Sequence, residues 1–181
     1  MGNVIANEEY YSKNYQQNYY GSGIKSNFVN YILGLFGKWV ICLKESEILR
    51  NLKHRKSVKL NILDVGCGSG EFLANINSRV FEKYGVEVNP DGYEKCIRRN
   101  LKVFNEELKD VGFETENFDV ITMWHVLEHL ASPENLLIEA RRILKNGGLL
   151  IIATPNTDSL GFRLGRQDWF HLDSPRHLIL Y

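Results

Sequence analysis

The stretch Leu60-Asn61-Ile62-Leu63-Asp64-Val65-Gly66-Cys67-Gly68-Ser69-Gly70-Glu71-Phe72-Leu73 decides the fold. An apolar, β-branched run carries an acid near its end. A loop with glycine at every second position follows, then a helix start. Strand, glycine loop and helix open a nucleotide-type αβ site, which predicts an α/β chain with a doubly wound, mostly parallel sheet. Glycine at 66, 68 and 70 lets the backbone turn tightly and lets a ligand lie against bare main chain. The N–H groups at the helix start then face that ligand.

The loop departs from the dinucleotide fingerprint G-x-G-x-x-G/A. It reads G-x-G-x-G, and Glu71 stands where the last small residue belongs. Asp64 precedes the first glycine by two residues. A carboxylate there repels a pyrophosphate and attracts an ammonium group. S-adenosylmethionine carries an ammonium and a sulfonium and no phosphate, so the local charge favours it over a nicotinamide dinucleotide.

Leu63 to Gly70 resembles the first motif of class I S-adenosylmethionine-dependent methyltransferases. The resemblance runs from about residue 60 onward and more loosely over the earlier residues. It implies a Rossmann-like sheet, S-adenosylmethionine as cofactor, and a cofactor-binding set of Asp64, Gly66, Cys67, Gly68 and Gly70 in the loop. It does not specify a substrate.

The 181 residues are enough for one domain with a core, and 44% hydrophobic content argues against disorder. Formal net charge is zero, which speaks against a general nucleic-acid binder. Lys53-His54-Arg55-Lys56 is a local basic run, read as a solvated helix end. Cys42, Cys67 and Cys96 are odd in number and widely spaced, so neither a disulfide framework nor a zinc site is expected. A reducing cytoplasm is the simplest setting, and the polar N-terminus does not read as a signal peptide. Phe28 to Leu43 is strongly apolar but holds Asn30 and Lys38 and is shorter than the roughly 20 residues of a bilayer span. It reads as a core or lid helix, with peripheral membrane contact as the other reading.

Residues 1–57 are expected to form an N-terminal helical cap, and residues 58–181 the cofactor-binding unit of a single domain. The tyrosine-rich start is either a partly ordered tail or a flap over the cofactor. Residues 28–55 read as one or two helices, with Ile48, Leu49 and Leu52 on the buried face. Strands are expected over 59–65, 84–88, 101–104, 118–124 and 149–153. Helices are expected from 71 to 78, from Pro90, and from Pro133 to Leu144, the last capped by Ser132 and closed by Gly147-Gly148.

Glu87 lies 23 positions after Asp64, close to the distance at which a βαβ unit brings an acid to ribose hydroxyls. An acid inside Gly85-Val86-Glu87-Val88 needs a partner. The family places its ribose-binding acid here, with Val88 beside it. The resemblance also suggests Asn105 for the adenine amino group and Trp124 for the cofactor's methyl end. Family members end their sheet in a reversed hairpin. The chain stops before one, so a missing or truncated hairpin and an exposed edge at strand five are expected, covered in a homodimer or left open in a monomer.

Methyl transfer from a sulfonium is an in-line displacement that needs alignment and, for an oxygen or nitrogen nucleophile, a base. His125, His129, His171 and His177 are the candidate bases. His125, after strand four, is the best placed, and His125 and His129 are assigned as catalytic. His125, Glu128 and His129 fall on one helical face at i, i+3, i+4. A hydrogen-bonded turn is preferred there, and no metal ligand is assigned. The segment resembles the quinone-biosynthesis O-methyltransferase group, which implies methylation of a small-molecule acceptor at oxygen, with no nucleic-acid partner. The other readings are a nicotinamide-dependent oxidoreductase and a non-catalytic cofactor-binding scaffold.

Overall fold

The computed structural model describes residues 27–52, 59–166, 169 and 177–181. Expectations for the tyrosine-rich segment, the basic run at 53–56 and His171 lie outside these residues. The elements are α1 (Asn27–Asn51), β1 (Leu60–Val65), α2 (Glu71–Asn75), β2 (Phe81–Val86), α3 (Pro90–Arg98), β3 (Lys102–Phe104), β4 (Phe118–Trp124), α4 (Glu134–Ile143), β5 (Leu144–Ala153) and α5 (Leu160–Gly165). The five strands form one sheet in the order β3-β2-β1-β4-β5, and all four pairings are parallel. The expected doubly wound α/β sheet is therefore the observed fold.

β1 is central because both of its faces are apolar, as a parallel strand covered on two sides requires. Leu60 and Ile62 point into a core with Ile41 and Ile48 of α1, Phe72 and Leu73 of α2, and Cys96 of α3. Leu63 and Val65 point into the opposite core with Phe118, Ile121 and Met123 of β4 and Ala140 and Ile143 of α4. Each large apolar side chain so buried contributes about 1.5–3 kcal/mol. α1 is one continuous helix, and its second half belongs to the first core. Its earlier residues Leu35, Phe36 and Trp39 are exposed. Among the described residues, no helix is long and apolar enough to cross a membrane.

Several boundaries differ from expectation. β2 begins at Phe81, three residues early, paired with Leu60 of β1, and α2 stops at Asn75, where Lys83 reaches back from the strand. Its ammonium donates to the carbonyls of Leu73 (2.7 Å) and Ile76 (2.9 Å), closing the helix there. At α4, Pro133 itself is the cap residue in a helical conformation and Ser132 makes no cap. α4 is not closed by glycine: Leu144 both caps the helix and pairs with Phe118, so β5 starts at once. Lys145 to Gly148 then bulge out beside Asp119, whose buried carboxylate takes the Lys145 ammonium at 2.7 Å.

Candidate active site

The C-terminal ends of β1, β2 and β4 converge on the glycine loop, as the order of a doubly wound sheet dictates. Gly66 has φ +67°, and a Cβ there would sit 2.7 Å from the Val126 side chain, so no other residue fits. Asp64 is 1% exposed, and the Thr122 hydroxyl donates to its Oδ1 at 2.6 Å. Burial pushes its carboxyl up to about 7, against the Thr122 bond and the Lys44 charge that hold it down.

Glu87 is the first residue after β2 and is 6% exposed. Its Oε2 accepts the Gly68 N–H at 2.6 Å and its Oε1 accepts the Asn89 N–H at 2.8 Å. Burial pushes this carboxyl up, while the two backbone donors hold it down. The acid thus ties the glycine loop to the start of α3, where the Asn89 side chain caps the helix through the N–H groups of Asp91 and Gly92. Gly92 permits the approach: a Cβ there would lie 3.0 Å from both Glu87 and the Gly68 carbonyl.

A cavity of about 350 Å³ opens at the ends of β1 and β2, lined by Gly66, Val88, Leu108, Val126 and Leu136 among others. Asn105 donates to the carbonyls of Glu87 (2.7 Å) and Val88 (3.1 Å). On the other side of the loop, Trp124 packs edge-on against Phe72 at 5.5 Å. The Lys44 ammonium, reaching down from α1, sits 3.6 Å from the Trp124 ring centroid. Burial lowers the Lys44 pKa, with the Asp64 charge opposing. The Trp124 indole N–H is buried and has no hydrogen-bond partner among the described residues.

After β4 the chain turns sharply. His125 adopts φ +58°, an uncommon conformation for a non-glycine residue, and its N–H donates to the Ala153 carbonyl at 2.8 Å. Its ring is 44% exposed, and Nδ1 lies 3.1 Å from Glu128 Oε1. Burial raises the Glu128 carboxyl, but the His125 bond and the neighbouring histidines outweigh it and the net shift is downward.

A family model described as a methyltransferase domain matches residues 36–181. The chain belongs to this methyltransferase family. A ubiquinone biosynthesis O-methyltransferase, mitochondrial, from Candida albicans is 31% identical over 128 residues, covering 64% of this chain and 38% of that protein. A SAM-dependent methyltransferase from Archaeoglobus fulgidus shares the structure at TM-score 0.57 and 27% identity, covering 76% of this chain and 61% of that one. The plantazolicin methyltransferase BpumL, solved in complex with SAH, matches in fold at TM-score 0.62 and 21% identity, over 88% of this chain and 66% of that one. The chain spans about half the length of the curated relatives it matches.

In this methyltransferase domain Gly66 and Val88 line the cavity, Glu87 is tied to Gly68 of the same loop as Cys67 and Gly70, Asp64 is held by Thr122 of β4, and Trp124 and His125 follow at the end of β4. The Asn105 amide N–H groups hold the backbone after β2, and its Oδ1 is the atom the expected adenine contact would use. The helical face expected for His125, Glu128 and His129 does not form. Leu127–His129 is a short 3-10 helix, and His125 pairs with Glu128 while the His129 ring meets His177 at 4.9 Å. Glu128, His129 and His177 each bring one ligand-type atom within 4.8 Å of the others. Lys44, Leu108 and Val126 were not singled out by the sequence. Lys44 lies in a helix whose apolar pattern masks it, and the other two read as ordinary core residues.

Proposed function

We propose that this methyltransferase domain binds S-adenosylmethionine and moves its methyl group to a hydroxyl oxygen of a small molecule. One observation carries the cofactor reading. The loop N–H of Gly68, which a dinucleotide site would aim at pyrophosphate, is taken by the Glu87 carboxylate at 2.6 Å. Two carboxyl groups, Asp64 and Glu87, flank the loop and favour a cationic, phosphate-free ligand over a nicotinamide dinucleotide.

The chain's own residues fit such a molecule. Glu87 retains acceptor capacity for ribose hydroxyls, because each carboxylate oxygen can accept more than one hydrogen bond. Val88, Leu108 and Val126 line an apolar slot suited to adenine. Asp64 supplies negative charge for the ammonium end, Lys44 a cation for the carboxylate, and Trp124 an N–H without a partner among the described residues.

S-adenosylmethionine, when bound, supplies an electrophilic methyl on a sulfonium whose departing thioether is neutral. The protein's remaining tasks are alignment and proton removal. His125 is the base: its Nδ1 pairs with Glu128, and the imidazole takes the acceptor's hydroxyl proton. Glu128 orients the ring and balances the imidazolium that forms. Oxygen as acceptor rests on the likeness to the ubiquinone O-methyltransferases and on this histidine–carboxylate pair.

The test incubates the protein with methyl-labelled S-adenosylmethionine and a panel of phenols, amines and thiols. Labelled methyl ethers support the reading. Label only on nitrogen or sulfur overturns the oxygen assignment, and hydride exchange with nicotinamide instead overturns the whole.

A further inference from the structure

Cys67 and Cys96 are 29 positions apart in sequence, and their sulfurs lie 3.9 Å apart in the first core. Cys67 stands between two glycines of the loop. Cys96 sits in α3, and its Sγ donates to the Gly68 carbonyl at 3.2 Å. Cys67 S–H, Cys96 S–H and the Gly68 carbonyl therefore form one chain of weak hydrogen bonds. A disulfide needs the sulfurs at about 2.0 Å, so they must approach by about 2 Å more. The loop can supply that movement, since Gly66 (φ +67°) and Gly68 (φ +56°) flank Cys67 and free its backbone.

We propose that Cys67 and Cys96 are a redox pair whose disulfide closes the cofactor site. The closing half of this proposal rests on the cofactor reading above. The disulfide would draw the loop toward α3 and remove the thiol donor from the Gly68 carbonyl. It would also disturb the Gly68 N–H bond to Glu87, the same contact that shapes the mouth of the site.

The oxidant is hydrogen peroxide. Cys67, 8% exposed against 0% for Cys96, is the sulfur it reaches. A bond forms between the Cys67 sulfur and one peroxide oxygen, the O–O bond breaks, and one water leaves. Cys96 then displaces the hydroxyl from the Cys67 sulfur, the S–S bond forms, and a second water leaves. Two thiols are oxidised and one peroxide is reduced. The hydrogen bond to Cys96 and burial push the Cys67 thiol up, so the first step is slow at neutral pH and quickens as pH rises. A ligand over the loop covers Cys67 and slows it further.

The experiment uses the full chain carrying Cys42→Ser, which removes the exposed third cysteine. Reduced and peroxide-treated samples are alkylated, digested and mapped by mass spectrometry, and each is titrated with S-adenosylmethionine. The expected result is a crosslinked peptide pair containing Cys67 and Cys96. Affinity falls at least tenfold and returns with dithiothreitol, and S-adenosylhomocysteine slows crosslinking. With Cys96→Ser added, affinity does not change on peroxide, whatever its starting value. Both cysteines remaining alkylatable, or oxidised without a crosslink, overturns the pair. A crosslink with unchanged affinity overturns the closing of the site. Reduced protein that never binds the cofactor defeats the cofactor reading and the closing with it, while the crosslink map still decides the disulfide.

Discussion

Glu87 Oε2 accepts the backbone N–H of Gly68 at 2.6 Å, so the acid that follows β2 closes the glycine loop that follows β1. The same carboxylate holds Asn89 through its other oxygen. One buried side chain therefore joins three pieces of the site and sets its charge.

Glu87→Gln tests this joint. The amide offers one acceptor and two donors, so a donor must face either the Gly68 or the Asn89 N–H. An unsatisfied buried donor costs about 1–3 kcal/mol. Chemical denaturation should show a loss of that size, and affinity for S-adenosylmethionine should fall at least tenfold.

Asp64 sets a pH dependence. Its native carboxyl holds a proton up to about pH 7, whereas the unfolded chain loses it near the ordinary value of 3.8. Between these values the native state binds more protons, so Asp64 makes stability fall as pH rises through that window and leaves it level above. Asp64→Asn should remove this slope in thermal melts and raise stability above about pH 7. Ionised Asp64 attracts a cationic ligand, so wild-type affinity for S-adenosylmethionine should rise across about pH 6 to 8 and stay flat in the variant.

Lys44 is the carboxylate anchor of this account. Lys44→Met keeps an unbranched side chain against Trp124 and removes the charge. Affinity for S-adenosylmethionine should fall about tenfold, the scale of one partly buried charge-assisted bond. Decarboxylated S-adenosylmethionine, which has no group for Lys44 to hold, should bind wild type and variant alike. An equal loss for both compounds would assign Lys44 to packing.

His125→Ala should lower turnover by about 10²- to 10⁴-fold, the usual range for a lost general base, while leaving cofactor affinity within a factor of a few. Glu128→Gln should lower kcat without changing the KM for cofactor, and Glu128→Asp should restore part of it. Steady-state kinetics with a methylated phenol as product separates these effects.

Much of this was readable from residue order. β1 and β4 are apolar on both faces, a pattern that only a covered parallel sheet satisfies, and β4 occupies Phe118–Trp124 as expected. Glu87 was readable because an acid after an apolar strand needs a partner. What stayed hidden depends on contacts far apart in sequence. The early end of α2 goes with Lys83 of β2 holding its last carbonyls, and no local propensity encodes those bonds. Lys44 meets Trp124 across 80 positions, and Cys67 meets Cys96 across 29. Neither Asn105 nor His129 carries a local mark of its partner: the Glu87 and Val88 carbonyls for one, His177 for the other. Those pairings exist only once the sheet has assembled.

Calorimetric titration of the reduced chain with S-adenosylmethionine, S-adenosylhomocysteine and NADH tests the central claim most directly. The account predicts micromolar binding of the first two, none of NADH, and loss of both in Glu87→Ala. Binding of NADH without the other two would contradict it.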